Sequence, residues 1–297
     1  MRIIKTEGMN MLSHEITQWR DAGDFYNWKG HEIYFRAQDT SKQNTLLLIH
    51  GFPSASWDWQ PIWDGLAEHF NLVTLDMLGF GLSDKPENFD YSISQQADLY
   101  EALIQQRNIE QCYVLAHDYG NTVAQELLAR QQEHSLSFNI QRLSFLNGGL
   151  FPETHKPLLV QKLLMSPVGA ILSRLMSQKK FADSLQKICS DGMTSHDIEL
   201  LWQLLEYNQG RKVMPKLICY MKERRQYRSR WVGALEKSTV PLHLIDGLID
   251  PISGQHLVDR FRQLVPQGKV TELAGIGHYP QVEAPDQVLK AYLEGIK

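Results

Sequence analysis

The sequence predicts an α/β fold with a mostly parallel central sheet, helices on both of its faces and an inserted helical lid. Three observations carry that prediction. Short runs of Leu, Ile and Val alternate with longer amphipathic stretches between residues 31 and 147, as βαβ units do. From 151 to 235 the alternation stops, and only helix-like stretches rich in Leu, Met, Lys and Arg remain. Strand-like runs then resume, so the helical block interrupts a sheet that the C-terminal part completes. The expected division is a core of residues 1–150 and 236–297 with a lid of 151–235.

Residues 45–50 (TLLLIH) read as a buried strand, because a short continuous apolar run suits a strand covered on both faces. A loop over 51–56 and a helix over 57–70 follow. The next strand is 71–76 (NLVTLD), then come a helix over 92–106, a strand at 112–117 (CYVLAH) and another at 141–146 (QRLSFL). Beyond the helical block, strands at 240–246 and 269–273 and a helix over 284–295 complete the pattern. Open sheets of this kind bind ligands beyond the C-terminal ends of their strands, the edge a lid would cover. The sequence has no repeat, low-complexity tract or long Gly/Ser linker, which predicts a lid packed on the core.

Composition narrows the function. At 297 residues, 43% apolar and 22% charged, the chain has the make-up of a globular enzyme rather than of a disordered protein. A formal charge of -4 gives no basic footprint for nucleic acid. Cys112, Cys189 and Cys219 lie far apart, which suggests neither a metal cage nor a disulfide framework and fits a reducing, cytoplasmic setting. The first ten residues carry Arg2, Lys5 and Glu7 and build no signal-peptide core. No run approaches the roughly 20 apolar residues of a membrane span. The expected partner is a small-molecule substrate, with no cofactor and no metal.

The strand ending at His117 runs directly into Asp118-Tyr119-Gly120-Asn121, which starts a helix. That is the context of the nucleophile elbow of α/β-hydrolases, a strained turn flanked by small residues. Ala116 and Gly120 supply the flanks and Asp118 stands where a serine is usual; Asn121 fits the small-residue pattern less well. An Asp here also reads as a plain helix N-cap. As a nucleophile, a carboxylate attacks carbonyls poorly, since the product is an anhydride. It displaces leaving groups at saturated carbon well, leaving an ester that water can cleave. Opening of an epoxide or loss of halide is therefore expected.

In such folds the acid and the histidine follow the nucleophile in chain order, on loops after later strands. Gly247-Leu248-Ile249-Asp250-Pro251 and Gly275-Ile276-Gly277-His278 occupy those places. His278 is the expected base and Asp250 its partner, with Asp246 as the rival acid. His50-Gly51-Phe52-Pro53 follows a buried strand, so the backbone N–H groups of Phe52 and Tyr119 are expected to polarise the carboxylate oxygen during ester cleavage.

HGFP at 50–53, GFGLSDKP at 79–86 and AHDYG at 116–120 resemble the epoxide hydrolase and haloalkane dehalogenase branch of the α/β-hydrolases. HDYGNTVAQELL from His117, NGGLFPETHKPLLVQKLL from Asn147 and RWVGAL from Arg230 resemble its mesoderm-specific transcript protein-like hydrolases. The resemblance implies that Gly79-Phe80-Gly81 is a structural loop rather than a dinucleotide fingerprint. It also implies that a lid tyrosine protonates the opening epoxide oxygen, and Tyr220 stands where that branch places its second such residue, with Tyr207 as fallback. Dehalogenases of the branch hold halide with a Trp after the nucleophile; Tyr119 stands there instead, leaving Trp202 and Trp231 as alternative donors. The basic run 222–230 reads as a solvated helix face or, alternatively, as a surface for an anionic substrate or partner. The expected activity is a cofactor-independent epoxide hydrolase, with haloalkane dehalogenase or a non-catalytic ligand-binding protein of the same fold as alternatives.

Overall fold

One eight-stranded sheet organises the computed structural model, which describes residues 12–297. The N-terminal residues that argued against a signal peptide lie outside the described residues. The strands are β1 (Asp24–Trp28), β2 (His31–Gln38), β3 (Thr45–Ile49), β4 (Asn71–Leu75), β5 (Gln111–Ala116), β6 (Asn139–Phe145), β7 (Leu242–Gly247) and β8 (Lys269–Leu273). Their order is β1-β2-β4-β3-β5-β6-β7-β8. β2 is antiparallel to both neighbours, and every pairing from β4 through β3 to β8 is parallel.

The six strands read from the sequence all form, within two residues at each end. β1 and β2 had no apolar run to announce them. They form a half-exposed antiparallel hairpin at the sheet edge, turned by Lys29 and Gly30 in left-handed conformations, and only alternate side chains of β1 are buried. The predicted helix over 57–70 is a 3-10 turn, Ser56–Trp59, leading into the helix Gln60–Ala67. A helix at Gln255–Leu264, between β7 and β8, was not foreseen.

Because successive strand side chains point to opposite faces, each buried strand feeds two cores. Leu47, Ile49, Val114, Ala116 and Phe145 pack on one face, and Leu46, Leu48, Leu115 and Ile245 on the other. Between β6 and β7 the chain makes only helices, from Leu159–Leu164 to Arg228–Glu236. Buried Glu126, on the helix Tyr119–Gln132, ties down the end of this helical segment. Its carboxylate accepts from Trp231 Nε1 at 2.8 Å and from Arg230 Nε at 2.7 Å. Burial alone would raise this carboxyl's pKa, and the hydrogen bonds from Arg230, Trp231 and Arg130 hold it below the ordinary glutamate range instead. Among the described residues no helix is long and apolar enough to cross a membrane.

The helix Tyr119–Gln132 lies hard against the end of β3. A Cβ on Gly120 would sit 2.4 Å from the Ile49 carbonyl oxygen and 2.5 Å from that of His50, both backbone atoms that cannot swing aside. Gly120→Ala is therefore expected to lower the unfolding free energy by about 1–3 kcal/mol in urea titration, the usual cost of overpacking. Unchanged stability would contradict this reading of the contact.

Candidate active site

Four loops at the C-terminal ends of β3, β5, β7 and β8 bring together Phe52, Asp118, Asp250 and His278. Asp118 follows β5 with φ of 45° and ψ of -107°, a backbone conformation that L-residues with side chains rarely adopt. Its N–H donates to the Asn147 carbonyl at 2.9 Å, and its own carbonyl accepts from Asn121 N–H at 3.1 Å. The carboxylate makes no capping bond to the helix it precedes, so the N-cap reading fails. One carboxylate oxygen, Oδ2, accepts the Phe52 N–H at 3.1 Å, and the other, Oδ1, lies 3.9 Å from His278 Nε2.

The loop bearing Phe52 is fixed from below. The His50 imidazole accepts the Met77 N–H at Nε2, 3.0 Å, so its Nδ1–H donates to the Gly51 carbonyl at 2.9 Å. Asp76, at the end of β4, accepts from Ser56 N and Leu82 N, each at 2.7 Å. Gly81, with φ of 47°, passes so close that a Cβ would be 2.1 Å from Asp76 Oδ2. Residues 79–81 thus form a packing turn. Phe80 stacks edge-on against His50, Phe52 and Tyr119.

On the other side, His278 Nδ1 meets Asp250 Oδ2 at 2.7 Å. That carboxylate also accepts from the Ser253 hydroxyl at 2.6 Å, Ser253 N at 3.1 Å, Ile252 N at 2.8 Å and Asn147 Nδ2 at 3.2 Å. Burial would raise the Asp250 pKa, but the His278 charge and these donors hold it below the ordinary range. Burial would likewise lower that of His278. Asp250, by charge and hydrogen bond, together with the charge of Asp118, instead pushes it up to about 9. Asp246, the rival acid, is buried with neither carboxylate oxygen hydrogen-bonded among the described residues, and desolvation raises its pKa well above the ordinary range. It does not engage His278.

Tyr220 is buried over the site. Its ring lies 4.6 Å from that of Tyr119 and 6.4 Å from that of Phe52, and its hydroxyl has no hydrogen-bond partner among the described residues. Burial and the neighbouring Asp118 charge hold this phenol well above its ordinary pKa, while Arg224 pulls the other way. Tyr207 instead packs near Lys85 and the core on the opposite face of the sheet. Trp231 spends its N–H on Glu126, and Trp202 lies between Phe181 and the Arg211 guanidinium.

Sequence reasoning missed Arg224, Asn147 and Ser253. Arg224 belongs to the basic run assigned to a solvated face, yet it is buried. Its guanidinium stacks on the Tyr220 ring at 4.4 Å, donates to Thr122 Oγ1 at 2.7 Å and reaches the Asp118 carbonyl at 3.3 Å. Arg228 and Arg230 of the same run pair with Glu153 and Glu126, so the run is largely spent on the fold. The detectable signal was spacing: Arg224 is one helical turn after Tyr220 and shares its face. Asn147 bonds the Gly247 N–H and carbonyl, locking the Asp250 loop to the end of β6. Beside Phe52 and His278 a cavity of about 60 Å³ is walled by Leu158, Leu164, Leu185, Ile188 and Met214.

Residues 44–285 match the model of the alpha/beta hydrolase fold family. The human mesoderm-specific transcript homolog protein is 39% identical over 296 residues, covering 95% of this chain and 88% of that protein. A putative hydrolase LipZ of Mycobacterium tuberculosis is 37% identical over 286 residues, covering 96% and 97%. Among solved structures, the epoxide hydrolase CorEH superposes with a TM-score of 0.74 at 17% identity, covering 92% of this chain and 98% of that one. A haloalkane dehalogenase DbeA variant from Bradyrhizobium elkanii gives 0.75 at 20% identity, covering 92% and 96%.

The charges predict a titration. By NMR, the His278 imidazole is expected to titrate near 9, and Asp118→Asn, which removes one flanking anion, is expected to lower that value. Because the folded pKa is raised, the stabilisation is fully present below the ordinary histidine pKa of about 6.5 and is lost as pH rises through about 9. An identical titration in the variant would show that Asp118 does not act on His278.

Proposed function

Since the chain belongs to the alpha/beta hydrolase fold family, we propose that it is a cofactor-independent hydrolase that opens epoxides through a covalent ester on Asp118. The observation that carries this reading is the Tyr220 hydroxyl, buried, unpartnered and close enough for the Asp118 charge to act on it. Such a hydroxyl can donate to an epoxide oxygen while the carboxylate attacks the adjacent carbon from the other side.

In the first step Asp118 Oδ1 forms a bond to the substrate carbon and the C–O bond of the ring breaks. Tyr220 gives its proton to the leaving oxygen. Arg224 against the Tyr220 ring favours the phenolate that remains. Ester formation also removes the Asp118 charge, and with it one of the influences that keep His278 protonated. His278 releases its proton to solvent and, once neutral, takes a proton from water, which attacks the Asp118 carboxyl carbon, while Asp250 stabilises the imidazolium that forms. The bond from that carbon to Oδ1 then breaks, the leaving product oxygen takes the imidazolium proton, and the regenerated Asp118 acid ionises as Tyr220 regains its proton through solvent. The Phe52 N–H, already on Oδ2, and the Tyr119 N–H receive the oxyanion. The 3.9 Å between His278 Nε2 and Asp118 Oδ1 exceeds a direct hydrogen bond and suits a base that acts on water rather than on the carboxylate. The helices between β6 and β7 act in this scheme as the lid that excludes bulk water.

Release of halide would use the same nucleophile and base. Against it stand the residue after Asp118, a tyrosine, and the engagement of the Trp231 N–H by Glu126. Tyr220→Phe is expected to slow turnover of a styrene oxide panel by roughly 10²–10⁴-fold. Any turnover of bromoalkanes should remain at the wild-type level; equal turnover of epoxides by both proteins would remove the role of Tyr220. With His278→Gln, intact mass after mixing with epoxide should rise by the mass of one substrate. A turning-over enzyme without such an adduct would argue against the ester.

A further inference from the structure

We propose that the outward face of residues 158–175 docks on an anionic lipid bilayer, and that the cavity beneath it takes a lipophilic substrate from that surface. Large apolar side chains are few on the surface of the described residues, and six of the nine that are exposed fall in this one stretch: Leu159, Leu163, Val168, Ile171, Leu172 and Leu175. Leu159 is 71% exposed, Ile171 62% and Leu175 68%. Scattered apolar residues on a surface need no explanation, whereas a contiguous group marks a contact site.

The helix Leu159–Leu164 carries large apolar side chains on both sides. Val160 and Leu164 wall the cavity beside Phe52 and His278, while Leu159 and Leu163 face out. A surface helix that only roofed the cavity would carry polar residues outside. The charges around the patch name the occupant. Between Glu153 and Asp183 the sequence has no acidic residue and five basic ones, Lys156, Lys162, Arg174, Lys179 and Lys180, in a chain whose net charge is -4. All five are exposed, and none of the four lysines pairs with a carboxylate among the described residues. Arg174 pairs with Glu87 at 3.6 Å, but exposed apolar side chains that share their stretch of chain with four exposed, unpaired lysines match the boundary layer of an anionic membrane. A second copy of the chain would bring the same cations face to face across a symmetric contact. From this stretch Leu158, Val160, Gln161 and Leu164 line the cavity that His278 also lines, so the proposed docking face and the site share one wall.

The substrate class rests on the reading of Asp118 and His278; the docking surface does not. Flotation with vesicles separates the two. The protein is expected to float with vesicles of phosphatidylcholine mixed with phosphatidylglycerol and not with phosphatidylcholine alone, and to be released by high salt. Leu159→Ser with Ile171→Ser and Leu175→Ser should weaken flotation at least about tenfold while the circular dichroism spectrum stays the same. Asp118→Asn should float as the wild type does, whatever its activity. Equal flotation of the triple variant, or equal flotation with neutral vesicles, would overturn the proposal. So would a wild-type dimer that ignores vesicles and becomes monomeric in the triple variant, since the face would then join two copies of the chain.

Discussion

The backbone of Asp118 is the constraint on which the site depends. With φ at 45°, the chain turns out of β5 so sharply that the carboxylate cannot fold back on the helix it precedes. A side chain that would ordinarily cap a helix is thereby left free, with one oxygen on the Phe52 N–H and the other towards His278. The strain is held in place from three directions. The Asn147 carbonyl receives the Asp118 N–H, Gly120 lets the helix press on β3, and the Arg224 guanidinium reaches the Asp118 carbonyl. Each of these contacts comes from a different part of the chain, so the turn exists only in the assembled fold.

The second organising feature is charge. Two carboxylates flank one imidazole, and each is held by a different means. Asp250 is wrapped by Ser253, Ile252, Asn147 and His278, which keeps it ionised despite burial. Asp118 receives a single backbone N–H on Oδ2, leaving Oδ1 lone pairs available. A carboxylate saturated with donors is a poor nucleophile, and one with a free oxygen is a better one. The asymmetry suits the different tasks proposed for the two acids. It also makes the state of His278 depend on whether Asp118 carries its charge, which links the proposed two steps.

Much of this was legible in the sequence because it depends on local pattern. β3, β5 and β7 are short, largely apolar runs, and the residues that matter follow their ends within a loop's length. β1 and β2 were not legible, since half-exposed strands such as DFYNW carry polar residues that blur their signal. Arg224 was hidden for a related reason: a lysine- and arginine-rich run reads as solvated, and only three-dimensional packing shows that one member points inward over Tyr220. Asn147 and Ser253 act by hydrogen bonds across β6 and β7, a contact that sequence spacing does not encode. The sequence marked 151–235 as helix-like and rich in Leu without saying which positions face out, and the fold leaves Leu159, Leu163, Leu172 and Leu175 exposed.

The central claim is that Asp118, and not water, makes the first bond to the substrate. A single turnover in water enriched in heavy oxygen, with enzyme in excess, followed by mass measurement of the peptide carrying Asp118, tests it directly. Attack by the carboxylate and cleavage of the ester at its carbonyl place the heavy oxygen in Asp118 and unlabelled oxygen in the first-turnover product. A product that carries the label while the Asp118 peptide stays light would mean direct attack by water, and would contradict the account.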